Sequence, residues 1–207
     1  MSVVVALKMG QKGMITLAKT EFPLITHNLS LDLVNTEIIS YDKRHDHIHS
    51  EEDLMKWLDK MGEAAPFLNR SALKKVQEDF SNVSQKILQF RSVLREQFED
   101  IAEGGEPAPS FVSFLQDQIA AAPFTYKIID DKLARIPAGN IDDAILSLIA
   151  YDALWLIHTK EIKQLKRCAN EKCILLFLDK TGRRKWCSMK ICGNRQKVSR
   201  HQKKTNK

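Results

Sequence analysis

A mainly α-helical domain with a small β-hairpin (α+β), followed by a small treble-clef-like module of knuckle, β-hairpin and helix, is the fold that three features of this 207-residue sequence predict. Apolar residues recur at helical spacing over most of residues 28–166. One stretch, FTYKIIDDKLARIP, alternates instead. All four cysteines fall within residues 168–192, in the pattern C-x4-C-x13-C-x4-C. A boundary near residue 160 gives two units, 1–160 and 161–207.

Residues 1–27 carry the weakest pattern. VVVAL and MITLA have the composition of short strands or of a lead-in, without the basic start, long apolar stretch and small-residue cleavage site of a secretory signal. No apolar run reaches bilayer length, so the expected location is the cytoplasm, with no membrane partner. In HNLSLDLVNTEIIS, Leu29, Leu31, Leu33, Val34 and Ile38 mark a helix that begins near Asn28 or Ser30, and the polar SYDKRHDHIHS after it reads as a loop. Ser50 and Asp53 open a second helix, which runs to Gly62 with Leu54, Trp57, Leu58 and Met61 on one face. From Ser71 to about Glu103 apolar residues keep a 3.6-residue period, with a break near SNVS, until the glycines and prolines of GGEPAPS end the helix. FVSFLQDQIAAA is a shorter helix. Alternation on either side of Asp130 and Asp131 gives the β-hairpin. The apolar run from Asn140 continues as a helix to about Lys166 and delivers the chain to Cys168.

The net charge of +6 conceals a division. Lys160 to Lys207 hold 16 cations against three acids, a net of +13, while the preceding 159 residues have a net of −7. Opposite signs suit a basic binding module attached to an acidic domain, or simply a solubilising tail.

In a reducing compartment, clustered thiols are metal ligands or redox groups more often than disulfides, and neither pair has the C-x-x-C spacing of a redox motif. Two knuckles joined by a 13-residue connector can set four thiolates about 2.3 Å from a tetrahedral Zn²⁺. Cys168, Cys173, Cys187 and Cys192 are therefore the expected ligands of one structural ion, with no coordination position left for catalysis. Between the knuckles, ILLFLDKTGRRKW reads as a hairpin: an apolar strand, a turn at Lys180 to Gly182, and a second strand ending at Trp186. Ser188 stands at an N-cap position for a helix running to about Lys204.

On that helix Arg195, Lys197, Arg200, His201, Lys203 and Lys204 leave little but Val198 to pack inward, the composition of a helix in solvent or against a polyanion. With Arg183, Arg184 and Lys185 of the connector, the basic residues Arg195, Lys197, Arg200, Lys203 and Lys204 are the expected nucleic-acid contacts, with steeply salt-dependent binding. Arg195, beside a rigid knuckle, suits a bidentate contact to guanine or phosphate; the other reading is that it pairs with an acid of the larger unit, or braces the metal loop with Asn194.

RCANEKC followed by FLDKTGRRKWCSMKICGNRQKVSRH resembles the CGNR zinc finger, named for the Cys-Gly-Asn-Arg that stands here at Cys192 to Arg195. The resemblance implies a DNA-binding module. Upstream, SLDLVNT at residues 30–36 resembles the Leu-Asp-Phe-Val-Asn-Thr signature of the ABATE domain, the usual N-terminal partner of this finger, with Leu33 in place of the commoner Phe. Together the two cover about residues 24–205 and imply a bacterial transcription regulator linked to stress response, with a helical sensor or scaffold domain.

Within SLDLVNT, Asp32 and Asn35 lie one turn apart and, with Thr36, either line a small-molecule pocket or hydrogen-bond a neighbouring segment. His45, His47 and His49 share one side only if HDHIH is a strand; as a loop they form no second metal site.

The leading expectation is a zinc-dependent DNA-binding regulator whose N-terminal domain dimerises, senses a small-molecule effector, or both. RNA binding through the same basic finger is the alternative, weakened by having only Phe177 and Trp186 as aromatics for base stacking. A small-molecule-binding or enzymatic N-terminal domain is the third reading, yet no nucleophile–base pair, phosphate-binding glycine loop or H-E-x-x-H is present, so the expectation is that the protein is not an enzyme.

Overall fold

The computed structural model describes residues 22–40, 42–62, 65, 67–129, 131–195 and 197. VVVAL, MITLA and the far part of the expected basic helix, with Val198, Arg200, His201, Lys203 and Lys204, lie outside the described residues.

Helix α1 (Leu29–Val34) buries Leu31, Leu33 and Val34 completely and stops where Asn35 and Thr36 turn the chain. It is shorter than the apolar pattern predicts. Ile38 and Ile39 instead enter strand β1 (Glu37–Ser40), which pairs antiparallel with β2 (Lys43–Asp46). Half of the expected SYDKRHDHIHS loop is thus strand. The β-branched Thr36, Ile38 and Ile39 favour extended backbone, and KRHD can be polar because Lys43, Arg44 and His45 face solvent.

Helix α2 (Glu51–Gly62) starts at Ser50 as expected; the Ser50 hydroxyl accepts from the Asp53 amide at 3.2 Å and donates to its carboxylate at 2.6 Å. The helix expected over 71–103 is two, α3 (Arg70–Glu78), capped by the Asn69 side chain, and α4 (Phe80–Ala102), with the break at Asp79 just ahead of SNVS. Helix α5 (Pro109–Ala121) lies along α6 (Ile141–His158), and between them in sequence comes the expected hairpin, β3 (Phe124–Ile129) with β4 (Lys132–Pro137). Helix α6 stops well short of Lys166 because Lys160 adopts a left-handed conformation, φ 61°, and turns the chain into a 3-10 segment, Glu161–Gln164.

Strands β5 (Leu165–Arg167) and β6 (Leu176–Leu178) pair antiparallel, with Leu165 opposite Leu178. The hairpin of the small module therefore joins residues on both sides of the first cysteine pair, and residues 183–186 form no strand. The cause is Asp179, whose carboxylate accepts from the Arg184 amide at 3.2 Å and so holds that backbone group away from a ladder.

Residues 175–178 alternate between two interiors, as the period of a strand requires. Leu176 and Leu178 enter the main core with Leu31, Phe90, Leu94 and Ile149, while Leu175 and Phe177 pack with the four cysteines, Ile25, Ile38 and Trp186. The metal module thus rests on the helical domain through a strand buried on both faces. Among the described residues no helix is long and apolar enough to cross a membrane.

Candidate metal centre

The first knuckle is the turn of the β5–β6 hairpin. The Cys168 amide donates to Leu175 O at 3.1 Å, extending the ladder, and the Cys173 amide donates to Asn170 O at 2.8 Å, closing the loop between the two thiols. The second knuckle opens at Ser188, whose hydroxyl accepts from the Ile191 amide at 3.0 Å, the N-cap role its position predicts. A π-helical segment, Met189–Gly193, then presents Cys192 and runs on into helical Asn194 and Arg195. The amides of Cys192 and Gly193 both donate to Ser188 O, at 3.1 and 3.0 Å. The knuckles are tied together by the Ala169 amide on Lys185 O at 2.9 Å.

All four Sγ atoms lie within 4.8 Å of one another, and Cys173 and Cys187 are 3.9 Å apart. Four sulfurs at about 2.3 Å from a tetrahedral zinc stand about 3.8 Å from each other, so the donor set fits one Zn²⁺. The four cysteines are buried, and two N–H donors aim at sulfur: the Cys187 amide at Cys168 Sγ and Asn170 Nδ2 at Cys192 Sγ, both 3.4 Å. Such donors stabilise thiolate charge and orient the ligands. Cys168 is lowered by hydrogen bonds from Cys173, Cys187 and Cys192, whereas Cys173 and Cys187 are raised, each chiefly by Cys168. A bound divalent cation holds all four as thiolates.

The polar residues around this centre are structural. Asp179, held well below the usual carboxylate range chiefly by the Lys166 ammonium at 2.8 Å, also accepts from the Thr181 hydroxyl at 3.2 Å and organises the turn after β6. Arg184, among the expected nucleic-acid contacts, lies 4.4 Å over the Phe177 ring and donates to the carbonyls of Trp186 and Cys187, bracing the second knuckle. Neither Asp179 nor Asn170 is flagged by sequence reasoning, although Asp-Lys-Thr-Gly carries the composition of an Asx turn.

Asp32, Asn35 and Thr36 are all buried and all hydrogen-bonded to protein. Asp32 accepts from Thr26 N–H at 3.2 Å, Thr26 O–H at 2.8 Å and His27 N–H at 3.0 Å; burial still pushes its pKa up to about 6. Asn35 donates to Leu176 O and accepts from Leu176 N–H, both at 2.9 Å, clamping α1 to β6. Thr36 donates to Leu33 O at 2.7 Å and accepts from Arg91 at 2.8 Å. Arg91 continues to Asp46, and Arg95 links Glu37, Glu99, Val34 O and Ile174 O, so helix α4 holds the β1–β2 hairpin and the first knuckle together. Of the three histidines, His45 is exposed on β2, His47 packs edge-on against Phe22 and His49 faces Asp53 at 3.2 Å. Among the described residues the four cysteines are the one group able to hold a metal.

The cations separate into two sets. Lys163, Arg167, Lys172 and Lys180 pair with Glu106, Glu103, Asp42 and Glu161, acids of the larger unit or of its edge. Arg183, Lys185, Lys190, Arg195 and Lys197 are exposed. Arg183 and Lys185 share with Trp186 and Met189 the wall of an open cleft of about 530 Å³.

No curated protein matches the chain. Family models do. The CGNR zinc finger matches residues 164–205, and the ABATE model, whose description is "Putative stress-induced transcription regulator", matches residues 27–159. With the four thiols gathered inside the stretch that the first model matches and the second covering most of the chain, this protein belongs to the ABATE family and carries a CGNR zinc finger.

Proposed function

We propose that the protein is a zinc-dependent DNA-binding transcription regulator, in which the finger grips the duplex and the helical domain positions it, with effector sensing or dimerisation as the regulatory input. The observation that carries this reading is the division of the cations. Lys163, Arg167 and Lys172 are neutralised by acids of the helical domain and Lys166 by Asp179, while Arg183, Lys185, Lys190, Arg195 and Lys197 stay exposed. Cations with no ion pair among the described residues, carried on a metal-organised frame, suit phosphate contact. Arg195 lies two residues past the ligand-bearing segment, where a guanidinium can be held for a bidentate contact.

Sequence-specific RNA recognition is less well supported. Phe177 is fully buried beneath Arg184, and Trp186 is half-buried against the metal cluster, so neither offers a stacking face for a splayed base.

The test is selection of bound sequences from a random duplex pool by zinc-loaded protein, alongside Cys187→Ser. Enrichment of a defined motif by the wild type and none by the variant supports the reading. No enrichment at low salt, or equal enrichment from a parallel pool of single-stranded RNA, refutes it.

A further inference from the structure

A cavity of about 480 Å³ lies where the helical domain meets the finger. Most of its wall is apolar, with Ile25 from the segment before α1, Ile38 and Ile39 from β1, and Leu175 and Ile191 beside the two knuckles; His47, Asn170, Ser188 and the thiols of Cys173 and Cys192 complete it. Its rim is cationic. Lys190 and Arg195 border it and are exposed; Lys172 borders it too, paired with Asp42 at 2.8 Å. Among the described residues no carboxylate lines it. The size is that of a small-molecule site, and a mostly apolar lining with a few cations suits an occupant with an apolar body and one anionic group.

We propose that this cavity binds a small carboxylate with an apolar aryl or alkyl body of about ten carbon atoms, body inward and carboxylate at Lys190 and Arg195. A neutral occupant would leave the rim cations unused, and a dianion would pair poorly with so apolar a wall. The site differs from the Asp32, Asn35 and Thr36 cluster, whose polar atoms are bound to protein. Its occupant touches β1 on one side and the ligand-bearing segment of Cys192 on the other. Arg195 is also an expected DNA contact, so occupancy would compete for that side chain; this consequence rests on the DNA-binding reading, whereas ligand binding does not.

The experiment is an amide-detected NMR titration of the zinc-loaded full chain with 4-phenylbutyrate and, separately, with uncharged 4-phenylbutyramide. The acid is expected to bind one site with Kd about 0.1–1 mM, shifting the amides of Ile38, Ile39, Leu175 and Ile191, and the amide analogue at least about tenfold more weakly. A Lys190→Gln/Arg195→Gln protein, checked for bound zinc and melting temperature, is expected to lose that preference for the acid. No saturable shifts, equal binding of acid and amide, or an unchanged preference in the double variant would overturn the proposal. So would a protein lacking residues 1–21 that shifts the same amides while the full chain ignores the acid, since the chain itself would then fill the cavity. None of these readouts involves DNA, so failure here is distinct from failure of the regulator reading.

Discussion

Replacing Asn35 with alanine should destabilise the zinc-loaded protein by about 2–4 kcal/mol. Asn35 is fully buried, and its amide holds both backbone groups of Leu176 at 2.9 Å. Leu176 is itself buried in the main core, so no water can replace the lost partner. Each orphaned N–H or C=O costs about 1–3 kcal/mol, reduced in sum because alanine no longer has an amide to desolvate. At about 2–4 °C per kcal/mol for a chain of this size, the melting temperature should fall by roughly 5–15 °C. Asn35→Asp should be at least as damaging, since it keeps an acceptor for the Leu176 N–H but sets a carboxylate oxygen against Leu176 O. The assay is circular dichroism at 222 nm against temperature, with zinc content measured on the same samples. A drop of less than about 2 °C with zinc still bound would refute the clamp.

Cys187→Ser should abolish stoichiometric zinc, read by elemental analysis, while the α4–α6 core keeps most of its helical signal; retention of a full equivalent would contradict a four-thiolate site. Arg184→Ala should lower the melting temperature, because it removes the contact over Phe177 and two carbonyl bonds, whereas Arg183→Ala should leave it within about 2 °C and weaken only nucleic-acid binding. The Asp32 carboxyl should titrate near pH 6, followed by carbon NMR, because burial raises it above its ordinary value of 3.8 despite bonds from Thr26 and His27. Its folded pKa is the higher one, so its contribution to stability is complete below pH about 4 and is lost as the pH rises through about 6, a change of about 3 kcal/mol; a midpoint below about 4.5 would contradict this.

The metal site was the most legible feature, because four cysteines confined to 25 residues leave few arrangements, and Ser188 marked the start of the second knuckle. Helix α2 and the β3–β4 hairpin were equally plain, each carrying one period without interruption. The failures cluster where two periods meet. Ile38 continues the helical pattern of Leu31 and Val34, yet Ile39 beside it and Thr36 before it favour a strand, and β2 has no apolar residue to announce itself. The partner of β6 was hidden for a different reason. LKR is too short and too polar to read as a strand, and it pairs only because Leu165 and Leu176 share the main core. Asp179 and Arg184 act through side-chain bonds to backbone, which periodicity does not register. Arg184 counted as one more cation in a run until Phe177 and two carbonyls placed it.

In the proposed function the zinc-organised finger holds duplex DNA through cations that have no ion pair among the described residues. This is tested most directly by the salt dependence of binding, measured by fluorescence anisotropy with a labelled duplex over about 50–200 mM KCl. The expected result is a linear plot of log Kobs against log salt with a slope steeper than about −3, made shallower by about one for each of Arg183→Ala and Lys185→Ala and lost with Cys187→Ser. A slope near zero, or binding that survives Cys187→Ser unchanged, would contradict it.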